Sequence, residues 1–231
     1  MVDSGHGYDC PTSPGRPPRP SEGRTVYTTS SRPNLETTLD FINTFDLERG
    51  HPIDHLDSTR AAIDWLHGNV GMDPAGVAES AAVLARVVRV RAAFRDLWDA
   101  AVEDRQVDEW AIRELNSVLS HRSVLELRPS RDSGGASGYQ LAQRAVGDPV
   151  DDALARLAEP LALTLGSDEA LNRLRTCADD ACRYVFFDGS RTHQRRWCDM
   201  ASCGNRAKAA RHRARARGSG QSPGADAQTA G

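Results

Sequence analysis

Residues 177–203 read CADDACRYVFFDGSRTHQRRWCDMASC, and four of the chain's five cysteines stand in this stretch. Their spacing is Cys177-x4-Cys182-x15-Cys198-x4-Cys203, two close pairs separated by a segment long enough for a β-hairpin. Each pair makes a local knuckle, and a hairpin that brings two knuckles together offers four thiolates to one ion. Zinc suits that set, because it takes soft thiolates in a tetrahedron at about 2.3 Å without directional d-electron demands. One structural Zn2+ is therefore expected. For so small a unit its binding free energy, on the order of 10 to 16 kcal/mol in zinc-finger peptides, becomes folding free energy. Two disulfides are the other reading of paired cysteines, and they belong to oxidising compartments.

Between the pairs, Tyr184 to Phe187 reads as a strand, Asp188-Gly189-Ser190 as a turn, and Arg195-Arg196-Trp197 as the returning strand. After Cys203 the chain is rich in good helix formers, which places the last ligand at a helix start in a treble-clef-like plan. Residues 171–217 hold eleven arginines and one lysine against four aspartates, a net +8 that leaves −11 to the rest of a chain whose total is −3. An acidic body and a basic end are thus different devices. At 100° per residue, Arg206, Arg213 and Arg217 share one stripe while Lys208, Arg211 and Arg215 share the opposite one, with alanines between. A slim helix charged on two sides suits the major groove of double-stranded DNA, where both walls carry phosphates. The expected contacts are Arg195 and Arg196 from the hairpin, and Arg206, Lys208, Arg211, Arg213 and Arg215 from the helix. Two blander roles stand beside this: Arg206 pairing with Asp188 or the acidic body, and a merely solvated charged end.

Residues 195–208, RRWCDMASCGNRAK, closely resemble the signature of the CGNR zinc finger family, and the Phe187-Asp188-x-Ser190 turn matches it too. Proteins of that family commonly carry an N-terminal ABATE domain, described as a stress-induced transcription regulator. Leu39-Asp40-Phe41-Ile42-Asn43-Thr44 resembles the opening motif of that domain. The resemblance implies a bacterial DNA-binding regulator. It covers about residues 173–217 for the finger and 35–166 for the body.

With 231 residues, 39% of them hydrophobic and 26% charged, the chain has enough apolar material for one ordinary core or two small ones. Residues 1–33 and 218–231 are rich in Pro, Gly and Ser and poor in bulky apolar side chains, and are expected to be disordered. Between them, 34–166 reads as a helical regulatory domain and 171–217 as the finger. The fold class expected is mainly α with a small β-hairpin. Helices are expected from Asn34 through Phe45 to near Gly50, from Ser58 to Gly68, from the Asp73-Pro74 cap through Val102, from Asp108 to Leu119, and from Asp148-Pro149 to Gly166, with Pro160 kinking or restarting the last. Within the body, Val124–Leu127 and Tyr139–Leu141 form the only clear β signal.

No stretch approaches the roughly 18 apolar residues of a membrane span, and the first 30 residues lack a signal-peptide core, so no membrane partner and a cytoplasmic location are expected. Catalysis has little to stand on: there is no glycine-rich phosphate loop, nucleophile elbow or His-Glu-x-x-His, and four thiolates close every zinc position. The reading is of a non-enzymatic transcription regulator whose body acts as sensor or dimerisation module. Asp40 and Asn43 are candidates to line a pocket for a small-molecule effector, against a plainer role of bonding a neighbouring loop. A homodimer is open. The alternatives are a zinc-stapled protein-interaction adaptor and an RNA-binding protein.

Overall fold

The computed structural model describes residues 33–218 except 49, 122 and 132–136; most of both expected tails and the centre of the 124–141 hairpin lie outside the described residues. Contacts divide the chain between Cys198 and Asp199, and the two units are taken in turn.

In the first unit, helix α1 (Leu35–Ile42) begins at Asn34, whose side chain accepts the Thr37 amide at 3.0 Å. It stops eight residues short of the expected end. Thr44 turns its hydroxyl back onto the Phe41 carbonyl at 2.7 Å, and the chain leaves as a hairpin of β1 (Phe45–Glu48) and β2 (His51–Asp54). Gly50, at φ +86°, makes the reversal that an L side chain resists. The Leu39, Ile42, Phe45 periodicity hides this boundary, because the third member belongs to a strand.

Helix α2 (Thr59–Val70) is capped by Ser58 and ends at the left-handed Gly71, near the expected position. The long helix α3 (Ala81–Glu103) starts at Ser80, not at Asp73. Asp73 accepts the Ala75 amide in a local turn, and Gly76, at φ +82°, interrupts any helix begun there. Helix α4 (Glu109–Leu119) follows Asp108 as expected. Strands β3 (Ser123–Arg131) and β4 (Ser137–Ala145) pair antiparallel over a longer span than the sequence suggests.

Helix α5 (Pro149–Leu165) has Asp148 accepting the Val150 and Asp151 amides, and it continues through Pro160. Leu157, Ala158 and Leu161 on either side of that proline are fully enclosed, so packing outweighs the lost backbone bond of an interior proline. A short helix α6 (Asp168–Leu171) follows.

The core lies where α1, α3 and α5 meet, with α2 and α4 against them. Phe41 packs edge-on against Phe94 at 5.9 Å between ring centres, and at a tilt against Trp65 at 5.3 Å. Arg91 of α3, only 5% exposed, grips Asp54 with two 2.7 Å bonds and the Thr44 hydroxyl at 2.9 Å, tying the β1–β2 hairpin to the bundle. The last pair of strands in this unit is β5 (Leu174–Thr176) and β6 (Val185–Phe187), and Leu174 and Val185 belong to the same buried core as the helices.

In the second unit, a wide helical turn (Met200–Gly204) leads directly into helix α7 (Asn205–Gly218).

Candidate metal centre

The first knuckle is the loop that joins β5 to β6. The Cys177 amide bonds the Tyr184 carbonyl at 2.8 Å, and the Cys182 amide bonds the Asp179 carbonyl at 2.8 Å, so both thiols of the pair are fixed by backbone. Arg183 completes the reversal at φ +54°. This corrects the expected hairpin: β6 pairs backward with Leu174–Thr176, not forward with Arg195–Trp197. The single apolar position Leu174 ahead of Cys177 was the available signal, and a three-residue strand has too little pattern to be read.

The knuckle is anchored on the helices. Asn43, at the end of α1, donates from Nδ2 to the Val185 carbonyl at 3.0 Å and accepts the Val185 amide on Oδ1 at 2.9 Å, acting as an extra strand partner for β6. Trp98 Nε1 donates to the Arg175 carbonyl at 3.2 Å, and Arg95 Nη1 donates to the Arg183 carbonyl at 2.9 Å. Asn43, expected as a pocket candidate, is thus buried and committed to backbone; Asp40 of α1 is half-buried.

The segment from β6 to Cys198 is organised by Asp188, which is fully enclosed. Its carboxylate accepts the Ser190 amide at 3.0 Å and the Arg195 amide at 2.8 Å. Burial pushes its pKa up, but the bonds from Ser190 and Arg195 outweigh this and hold it below the ordinary carboxylate value. The Ala178 amide then takes the Arg196 carbonyl at 2.8 Å, which delivers Cys198 beside the first pair. In the second unit Asp199 caps the turn that carries Cys203, accepting the Ala201 and Ser202 amides at 3.1 and 2.9 Å.

One Sγ from each of Cys177, Cys182, Cys198 and Cys203 lies within 4.8 Å of all the others, and all four residues are buried. Cys182 and Cys198 stand 3.6 Å apart, far beyond a disulfide bond and close to the edge of about 3.8 Å that a tetrahedron with zinc–sulfur bonds of about 2.3 Å requires. The crowded thiols titrate against one another. Hydrogen bonds from Cys182 and Cys198 pull Cys177 down to about 2, while the bond to Cys177 pushes Cys182 up to about 12 and crowding by Cys177 and Cys182 raises Cys198 as well. A second or third thiolate there calls for a cation, which is the chemistry of a four-sulfur zinc donor set.

The basic residues divide by their use. Arg195 bonds the Trp197 carbonyl at 2.9 Å and the Cys198 carbonyl, and its guanidinium lies over Phe186 at 4.8 Å. Arg196 stacks over Trp197 at 5.2 Å. Arg206 donates from Nη2 to Cys203 Sγ at 3.0 Å, a contact with the metal ligand itself that no spacing in the sequence foreshadows. Lys208, Arg211, Arg213 and Arg215 are exposed along α7, as are the alanines at 209, 210 and 214. No helix among the described residues is long and apolar enough to cross a membrane.

No curated protein matches the chain. Residues 173–216 match the family model of the CGNR zinc finger, and the four cysteines brought together within that segment form the centre for one structural zinc ion.

Proposed function

We propose that the protein is a bacterial, cytoplasmic transcription regulator that binds double-stranded DNA through its zinc finger, with the helical body as an ABATE-like input or dimerisation module. The observation that carries this reading is α7. It begins two residues after the last thiolate, contains no acidic residue, and presents Lys208, Arg211, Arg213 and Arg215 to solvent. Alanines between the cations keep it narrow, and a narrow basic helix held at one end by a metal centre is well matched to a major groove. Arg195 and Arg206 are placed in the zinc centre's own support, so the proposal assigns them no direct readout. No catalytic residue forms part of it.

The test is the affinity of the zinc-loaded chain for random duplex DNA as a function of salt. Four phosphate contacts from α7 give a log–log slope of about −3 to −4. A flat dependence would remove DNA from the account and leave an interaction adaptor. Selection from a randomised duplex pool, with Cys203→Ser as control, then separates a sequence-specific regulator, which enriches a motif, from an architectural binder.

A further inference from the structure

We infer that a cavity on the 33–198 unit binds a small carboxylic acid with an apolar body, seated against the first zinc knuckle. The cavity encloses about 390 Å3, within the range of roughly 300 to 1,000 Å3 typical of small-molecule sites. One wall is apolar, from Ile42, Phe45, Leu47 and Val88, and Phe45 on β1 keeps 48% of its surface exposed there. With Ile42, Leu47 and Val88 beside it, that ring adds apolar surface that an apolar group in the cavity can cover.

The opposite side is charged, and its hydrogen bonds are incomplete. Three of the five N–H groups of Arg91 are held by Asp54 and Thr44, and its guanidinium lies over the Phe45 ring at 5.6 Å. Arg95 uses Nε on Asp99 at 2.7 Å and Nη1 on the Arg183 carbonyl, but its Nη2 is buried with no partner among the described residues. Arg183, half exposed, reaches Asp99 only at 3.5 Å. A buried donor without an acceptor is costly, and a ligand carboxylate at Arg95 Nη2, beside Asp99 and Arg183, supplies one. Asp96 Oδ2 is likewise buried and unpartnered while its Oδ1 takes Arg105. It needs a donor, such as a hydroxyl beside the carboxylate. An aryl hydroxy acid answers both demands and the apolar wall.

The location gives the site its interest. Arg183 directly follows the zinc ligand Cys182, and Arg95 holds its carbonyl, so an occupant touches both the bundle and the knuckle. This deepens the regulator reading by giving the body a ligand. It is nonetheless read out without DNA, so a failure of DNA binding leaves it standing and the reverse is also true.

Isothermal titration of the zinc-loaded full chain with mandelate, benzoate and benzylamine tests the inference. Saturable binding is expected for mandelate, weaker binding for benzoate and none for benzylamine. Ala92→Trp, at an exposed lining position of α3, fills the cavity without entering the core, and mandelate affinity is expected to fall at least tenfold with the melting temperature unchanged. Absence of saturable binding by either acid, equal binding of the amine, or full affinity in Ala92→Trp would overturn the site.

Discussion

Asn43 and Arg206 show how single side chains join metal centre to fold. The Asn43 amide replaces a missing strand beside Val185, so Asn43→Ala leaves a buried amide and carbonyl unpaired at once. The expected cost is about 2–4 kcal/mol, read as a lower melting temperature of the zinc-loaded chain; a change within error would show that β6 does not depend on α1. Arg206 faces a centre that, with four thiolates and one Zn2+, carries about two net negative charges, and its guanidinium donates to Cys203. Arg206→Met is expected to weaken zinc retention about 10- to 100-fold in chelator competition, the usual scale for a group bonded to a ligand atom. Unchanged retention would return Arg206 to the DNA-facing set. Bonding a neighbouring segment was the plainer of the two expected roles of Asn43, but its partner β6 was not legible, and Arg206 showed only as one cation in a run of cations, because partners lie in space and not in spacing.

Among the elements, the β1–β2 hairpin and α7 are the two whose stability is most conditional. Burial pushes the Asp54 carboxyl up, but its bonds to Arg91 and to the Leu56 amide outweigh burial and lower its pKa from the usual value near 3.8. A carboxylate held low in the folded state contributes stability that is present above the unfolded value and lost as pH falls through the folded one. The amides of β1 and of His51, Ile53 and Asp54 in β2 are therefore expected to keep their exchange protection down to about pH 4 and lose it below. Asp54→Asn lowers that protection at neutral pH and flattens the acid loss; an unchanged acid limb would mean that another group governs it. Helix α7 has exposed side chains from 208 to 216, and an isolated helix shorter than about 12–15 residues is marginal in water. Its amides beyond Lys208 are expected to exchange fast without DNA and slowly with it, while those of Met200–Gly204 stay protected in both states. Uniform protection without DNA would mean that something besides DNA supports the helix. The elements legible in the sequence were α2 and α5, which have side-chain caps, and α4, which has an apolar face but no capping bond from Asp108. The β1–β2 hairpin and the late start of α3 were hidden because a helical period ran across positions where Thr44 and Gly76 reverse the chain.

At the scale of the whole molecule, a knuckle with two of the four thiolates belongs to a hairpin whose Leu174 and Val185 lie in the core of the helical bundle. The cysteine spacing made the metal readable at once, since ligand chemistry is carried by residue type and interval. The sharing of a core was not readable, because a three-residue strand holding one buried leucine has no period of its own. Zinc in this arrangement is expected to support the bundle as well as the finger. The measurement that bears most directly on this is scanning calorimetry of the full chain with one zinc and after chelation. A single zinc-loaded transition is expected, falling by on the order of 10 °C or more when the metal is removed, as follows from several kcal/mol of linked stability in a chain of this size. A helical-bundle transition at the same temperature with and without zinc would contradict it.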